Sequence, residues 1–355
     1  MDAFKNGERI VHPAFGTGTV LNIEEKGSLK IAFDTVGEKR INPRYGRLTS
    51  LTPAEEALRR QEEIEWLETF FFENERAEHH LGGHWHPFFD DALAIIKQLP
   101  EILPKSLLQV ACADNQKLPR HPIPSLWPEG IHLAWPLRTH GLMVTLKISE
   151  DGPSEFVSLY PSMVTGSQHR VRIDRVFVWN GGLEAQIEGN IAEMQVTFFD
   201  TLYASNRCFY EMGRLCEFIL TGIAYHCQRA GDRIFEINDP KIVRILNKDF
   251  PDQKGRKTVP VHTKGMAALI PLEEGDRDEY TFHGSVKDVE EITILDRPGW
   301  VCKTTVLRAM EPEMDIDLRI VITRRVWEEI EPPEVGEDIE GSLWLQGYLW
   351  YPKPV

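Results

Sequence analysis

Four histidines fall within eight residues of this chain, His79, His80, His84 and His86, and two carboxylates, Asp90 and Asp91, follow close behind. Imidazoles and carboxylates together form a donor set suited to zinc, iron or nickel. Three of them around one ion could activate a water molecule, which makes a metal-dependent hydrolase one reading of this segment. The spacing is not H-E-x-x-H, and Gly82-Gly83 should break any helical register between the two histidine pairs. The competing reading is a loop whose histidines cap or solvate neighbouring helices. Asp90 or Asp91 would then stabilise the start of the helix that carries Ala92, Leu93, Ile95 and Ile96. On that reading no cofactor is needed; on the first, the cofactor is a divalent transition metal.

A second group of chemistry-bearing residues lies near the N-terminus. Lys39, Arg40, Arg44, Tyr45 and Arg47 place four cations and one aromatic ring within nine residues. Such a set can meet a phosphate backbone or an acidic protein face, the ring offering a stacking surface. It can equally be a charged edge that keeps a strand from pairing with another chain. Elsewhere the catalytic motifs are missing. There is no phosphate-cradling G-x-x-x-x-G-K-[ST], no dinucleotide fingerprint, no nucleophile elbow and no zincin helix. Glu184 and Glu188 are four apart, but a strand would hold them at a distance on one side. Lys254–Lys257 and Lys264 form a basic loop in an otherwise acidic region.

Charge sharpens these readings. The 355 residues carry a net charge of −15. That opposes loose attraction to nucleic acid or to anionic membranes. Residues 1–52 nevertheless hold eight Lys/Arg against six Asp/Glu, leaving −17 for the remainder. Phosphate contact, if made, belongs to the N-terminal segment. No apolar run is long enough to span a bilayer, and the first residues lack the apolar core of a secretory signal. Five scattered cysteines, Cys112, Cys208, Cys216, Cys227 and Cys302, read as reduced, buried thiols in a cytoplasmic protein.

The elements that must position these groups begin with short strands. Leu29, Ile31 and Phe33 alternate with polar residues in SLKIAFD, and TVLNIEE, EKRIN and RLTSL supply further strands. Strands this short must curl into a small barrel to bury one face. In GERIVHPAFGTGTV, Pro13 stiffens the approach to a turn, Phe15 plugs the core, and Gly16 and Gly18 supply positive φ. His12 then reads as a turn residue. The ordered set Val11, His12, Pro13, Phe15, Gly16, Gly18, Val20, Ile31, Phe33, Gly37, Lys39, Arg40, Leu48 and Leu51 resembles the Tudor-like, SH3-fold domain at the C-terminus of UvrD/PcrA-type DNA helicases. The resemblance implies a docking module whose partners include RNA polymerase. It covers about fifty residues and carries no ATPase, since the motor motifs are absent.

Beyond it, TPAEEALRRQEEIEWLETFFFENE predicts a helix with Thr52 as N-cap and Glu55 closing a capping box. A proline-rich stretch, Lys117–Gly130, reads as a linker, with Trp127 and Trp135 at its end. From Leu142 strands prevail, with a bulge expected between Ile173 and Val176 and a hairpin turn at Asn180–Gly182. YEMGRLCEFILTG and PEVGEDIEGSLWLQG both set a glycine before an alternating strand that ends on another glycine. Two OB-like or SH3-like units follow, near 165–230 and 280–352. The fold class expected is mainly β with some α: a Tudor-like barrel at 1–52, a helical and proline-rich connection at 53–130, and β-rich units at 131–239 and 240–355. The function expected is that of a bacterial, non-enzymatic adaptor docking a transcription or repair machine through the barrel. Nucleic acid or a protein is the partner there, and membranes are not. A metal-dependent hydrolase using His79–Asp91 and a purely protein-binding regulatory module are the alternatives.

Overall fold

The structure is a computed structural model that describes residues 4–12, 16–24, 27–34, 37–43, 47–73, 82–91, 93–111, 128–148, 154–192, 194–240, 243, 257–308 and 315–350. Strands dominate. The first five, β1 (Arg9–His12), β2 (Gly16–Ile23), β3 (Leu29–Phe33), β4 (Gly37–Ile41) and β5 (Thr49–Ser50), form one antiparallel sheet in the order β4-β3-β2-β1-β5. Alternation does the work expected of it: Leu29, Ile31 and Phe33 point into a core shared with Ile10 and Val20. The two glycines of the opening stretch have different roles. Gly16 takes φ +72°. Gly18 sits so close to β3 that a Cβ there would meet Phe33, Ala32 and Ile31 at 2.8–2.9 Å. Pro13 and Phe15 lie outside the described residues.

Helix α1 (Pro53–Phe70) starts as predicted. The Thr52 N–H donates to Glu55 Oε2 at 2.8 Å, and the Glu55 N–H donates to Thr52 Oγ1 at 3.2 Å. It ends earlier than the sequence suggests. Phe71–Glu73 leave the helix as a short strand, β6, paired parallel with a later strand. A run of three aromatic residues favours the pleated backbone over another helical turn. Helices α2 (Gly82–Trp85) and α3 (Leu93–Ile102) follow. Then β7 (Leu107–Ala111), β8 (Gly130–Pro136), β9 (His140–Lys147) and β10 (Glu155–Met163) make a four-stranded antiparallel sheet.

The remaining sheet is built from two similar halves. The first holds β11 (Ser167–Val178), β12 (Ala185–Ile191), β13 (Met194–Asp200), a short helix α4 (Tyr203–Asn206) and β14 (Leu215–Arg229). A two-stranded ribbon, β15 (Ile234–Ile237) with β16 (Val259–His262), and an edge strand, β17 (Ala268–Pro271), intervene. The second half holds β18 (Glu279–Ile294), β19 (Arg297–Leu307), β20 (Ile316–Thr323) and β21 (Asp338–Leu349). In each half the first three strands form an antiparallel meander, and the first strand also pairs antiparallel with the fourth. The third strand pairs parallel with the fourth strand of the other half: β13 with β21, and β20 with β14. Because β14 and β21 also pair antiparallel with each other, two five-stranded rings close around a shared central pair.

The halves match in detail. The Gly213 N–H donates to the Ile173 carbonyl at 2.7 Å, and the Ile173 N–H donates to the Arg214 carbonyl at 3.0 Å. The Gly336 N–H donates to the Val286 carbonyl at 2.9 Å, and the Val286 N–H donates to the Glu337 carbonyl at 2.8 Å. Both glycines have positive φ. Each first strand then slips register, between Ile173 and Arg175 and between Val286 and Asp288. The step along the chain that carries Gly213 onto Gly336 also carries Gly222 onto Leu345, and those two residues are paired. The halves are therefore related by an approximate two-fold axis through that pair.

One apolar core fills both rings, from Val171, Ile187 and Phe218 to Phe282, Ile320 and Leu343. A second lies outside the central strands, where Ile223, Trp344, Phe199 and Val321 meet the four-stranded sheet and helices α2 and α3. Cys216, Cys227 and Cys302 are buried free thiols. Among the described residues no helix is long and apolar enough to cross a membrane. Since each ring lacks a strand until the other half supplies it, the halves should fold only together. Fragments 1–247 and 248–355, co-produced, are expected to co-purify as an equimolar complex with a cooperative melt. Apart from a transition of the N-terminal sheet, which has its own core, each alone should show no such melt, and a cooperative transition of body strands in either fragment by itself would contradict the exchange.

Candidate functional site

The N-terminal cations sit on strand β4 and just beyond it. Lys39 and Arg40 are exposed, and Arg40 reaches Glu24 at 3.0 Å. Arg47 is exposed with φ 46°; Arg44 and Tyr45 lie outside the described residues. The strand is an edge of its sheet, so its cations line an open rim. The opposite side of the sheet is tied down. Arg9 pairs with Asp34 at 2.5 Å and with Glu56 at 3.0 Å, which fastens the sheet to the first turn of α1. His12 packs edge-on against Phe33 at 6.0 Å, and desolvation lowers its pKa. It is a packing residue.

His79 and His80 lie outside the described residues. The four residues Gly82–Trp85 form a single helical turn, and its His84 is buried flat against Trp344, ring centroids 4.1 Å apart. Its Nδ1 lies 2.6 Å from the Tyr225 hydroxyl, which donates to Glu279 Oε1 at 2.7 Å. With that hydroxyl hydrogen committed to Glu279, the bond needs a proton on Nδ1. Trp344 Nε1 donates to the neighbouring Asp278 at 3.0 Å. His86 faces solvent, and its carbonyl accepts from Arg325 Nε at 2.8 Å. Asp90 pairs with the same arginine at 2.5 Å, while Asp91 accepts from the Leu93 N–H at 2.9 Å and caps α3. Among the described residues no group of three or more His, Cys, Asp or Glu side chains is placed to hold a metal ion.

A denser set of buried polar groups lies where α4 meets the four-stranded sheet. Asp200 ends β13 and is buried. It accepts from the Leu202 N–H at 3.0 Å, from Asn206 Nδ2 at 3.0 Å and from the Tyr210 hydroxyl. Arg207 donates to the Gly182 carbonyl at 2.9 Å and the Pro128 carbonyl at 2.6 Å. His132 on β8, Tyr160 on β10 and Glu184 before β12 complete the set, all buried. Desolvation pushes the Asp200 carboxyl up to about 7 against the pull of its three donors. Desolvation pulls the His132 imidazole down to about 4, Glu184 opposing and Arg207 assisting. Sequence reading singled out only Glu184, and that as a neighbour of Glu188; the other residues are spread along the chain from His132 to Tyr210 and only the fold brings them together. The next layer out is an open apolar cleft of about 380 Å³ lined by Leu202, Phe209, Tyr348 and Trp350.

The two shifts act against each other. Asp200 keeps its proton in the folded state above the unfolded pKa, so its contribution falls as pH rises from about 4 to about 7. His132 stays neutral in the folded state where the unfolded chain would protonate it, so its contribution rises from about 4 to about 6.5. Each slope is about 1.4 kcal/mol per pH unit, and over the shared window they nearly cancel. Asp200→Asn removes one of them. Its melting temperature, followed by circular dichroism between pH 5 and 6.5, should rise relative to the wild type as pH increases. A constant offset between the two curves would contradict the assignment.

Comparison with known proteins bears on the N-terminal sheet. No curated protein and no solved structure matches the chain. Residues 7–45, which run from the turn before β1 through β4, match the PcrA/UvrD tudor domain.

Proposed function

We propose that the protein is an adaptor that docks through its N-terminal Tudor-like barrel onto a nucleic-acid-processing machine, with RNA polymerase the foremost partner. The observation that carries this is the match of residues 7–45 to the PcrA/UvrD tudor domain on a sheet whose β4 edge is open and cationic. On this reading Lys39 and Arg40, on β4, lead the contact, and Arg44, Tyr45 and Arg47, which follow in the chain, extend it. An acidic protein surface suits them better than nucleic acid, because the net −17 beyond residue 52 repels a phosphate backbone.

The body is read as two fused OB-type barrels. The order first-second-third-fifth-fourth-first, with third and fifth strands parallel, describes each ring once the fifth strand is borrowed from the other half. In OB barrels the face of the second and third strands commonly takes oligonucleotides. On the second ring that face already spends its cations: Lys303 pairs with Asp317 at 3.3 Å, and Arg319 pairs with Glu290 at 3.4 Å. Lys287 also reaches Asp317, at 2.9 Å. A face neutralised by its own carboxylates favours a protein-binding body over one that grips phosphates.

The test uses the full chain and purified RNA polymerase core enzyme. Lys39→Glu with Arg40→Glu should weaken binding roughly tenfold, most strongly at low salt. Gly18→Val, which drives a side chain into β3, should abolish binding while the body keeps its melt. Equal binding by wild type and both variants would refute the barrel as the docking element. Tight, salt-sensitive binding to a bare oligonucleotide, lost with the same charge reversal, would make nucleic acid the partner instead.

A further inference from the structure

Between β20 and β21 the chain runs through Arg324–Glu337, a long connection with five carboxylates, Glu328, Glu329, Glu331, Glu334 and Glu337, and no lysine or arginine after Arg325. Loops of this length and charge commonly wander. This one is held. Arg324, Trp300, Trp327 and Arg229 stack as a ladder. The Arg324 guanidinium lies 5.3 Å from the Trp300 ring centre, the two indoles meet edge-on at 6.3 Å, and the Arg229 guanidinium lies 5.6 Å from Trp327. From that ladder three donors reach three consecutive carbonyls. Arg324 Nη2 donates to Ile330 at 2.6 Å, Trp327 Nε1 to Glu331 at 2.8 Å and Arg229 Nη2 to Pro332 at 2.7 Å. Backbone bonds fix both ends: the Cys227 N–H donates to the Val326 carbonyl and the Glu328 N–H to the Cys227 carbonyl, while the Gly336 N–H reaches Val286. Arg229 further pairs with Glu337 at 2.9 Å.

What this scaffold presents is apolar. Ile330 is 82% exposed and Val335 is 64% exposed, with Pro332 exposed between them. Ile330 is the most exposed large hydrophobic side chain among the described residues. A single exposed aliphatic residue is ordinary. Here, however, the backbone on either side is fixed by side-chain donors, so the ordering entropy that a partner would have to supply is already spent. Glu331 and Glu334 flank the apolar tip with no ion pair among the described residues.

We propose that residues 328–336 form a rigid docking finger that inserts Ile330, supported by Val335, into an apolar pocket on a protein partner whose rim is basic. Glu328 and Glu329 are paired with His226 and Arg229, so the exposed Glu331 and Glu334 select that rim and disfavour nucleic acid and anionic membranes. The finger lies on the body and acts apart from the cationic barrel, so this inference stands whether or not the barrel binds RNA polymerase. The partner proposed is a different protein with a pocket rimmed by lysine and arginine, since this chain's net charge of −15 disfavours pairing with a second copy.

The test begins with p-benzoylphenylalanine in place of Ile330 in the full chain, irradiated in the native cell. A control carries it at Ile234, an exposed isoleucine on β15 well away in sequence. The polypeptide joined from position 330 alone is then purified and titrated by calorimetry. Ile330→Asp should weaken its binding roughly ten- to hundredfold, the range set by burying one aliphatic side chain, while Ile330→Leu stays within a few-fold of wild type. Glu331→Lys with Glu334→Lys should weaken binding and flatten its dependence on salt. All these side chains are exposed, so the melting temperatures should equal that of the wild type. No adduct specific to position 330, an adduct only to a second copy of this chain, equal affinity for Ile330→Asp, or binding that ignores salt would each overturn the proposal. Loss of binding with Lys39→Glu and Arg40→Glu, but not with Ile330→Asp, would assign the contact to the barrel and overturn the finger.

Discussion

The antiparallel pairing of β14 with β21 governs the rest of the molecule. It runs from Phe218↔Leu349 to Arg229↔Ile339 and belongs to both rings at once. Each of the two strands takes the other as one neighbour. Each also takes the first strand of its own half and the third strand of the opposite half. Both rings therefore satisfy their backbone hydrogen bonds only when both halves are present, and neither leaves a bare central edge. The close approach needs small residues. At Gly341 a Cβ would stand 2.0 Å from the His226 carbonyl, and at Gly347 it would meet Leu220 at 2.5 Å. Substituting either would push the shared strands apart and strain both rings.

That pairing also explains what became of the histidine segment. The two-fold pair leaves Ile223, Trp344 and Gln346 on the outer surface of the rings, and these must be covered. Strand β10 covers part of them: Gln346 accepts from the Met163 N–H at 3.1 Å and donates to the Pro161 carbonyl at 3.3 Å. Helix α2 covers the rest, with His84 lying on Trp344 and reaching Tyr225. Arg325, at the end of β20, then holds the carbonyl of His86 and the carboxylate of Asp90. His84 and Asp90, two of the residues that suggested metal chemistry, thus help join the covering layer to the rings, while His79 and His80 lie outside the described residues.

Local features were legible because local physics sets them. The alternation of Leu29, Ile31 and Phe33 named the buried face of the small sheet, and Thr52 with Glu55 named a helix start. The slip between Ile173 and Val176 announced a register shift that the structure places between Ile173 and Arg175. The repeated glycine before an alternating strand, at Gly213 and Gly336, was the sequence trace of the repeated half. What sequence could not reveal was long-range. No pattern within β13 says that its parallel neighbour is β21, since parallel pairs carry no turn signal and join distant segments. Asp200, His132 and Arg207 looked unremarkable one at a time. The end of α1 was misjudged because Phe71 continues the helical apolar spacing, yet gains more by pairing with Val176.

Charge is distributed with the same economy. Cations on the strands of the body meet carboxylates on neighbouring strands, as Lys303 meets Asp317, Arg175 meets Glu188 at 3.6 Å and Lys287 meets Asp317. Cations at the ends of the central strands are turned inward on the connection between β20 and β21, where Arg229 and Arg324 spend donors on carbonyls. Of the connection's carboxylates, Glu328 meets His226 and Glu329 and Glu337 meet Arg229, which leaves Glu331 and Glu334 exposed beside an aliphatic tip. The N-terminal sheet carries Lys39 and Arg40 exposed on its edge strand, with Arg40 reaching Glu24. One chain thus holds two rigid surfaces of opposite sign and different apolar character. Two modest contacts made by one chain reinforce each other through effective concentration when one assembly can reach both. On the two docking proposals above, an assembly that reaches both surfaces would be held more tightly than one that matches either alone, although each contact stands without the other.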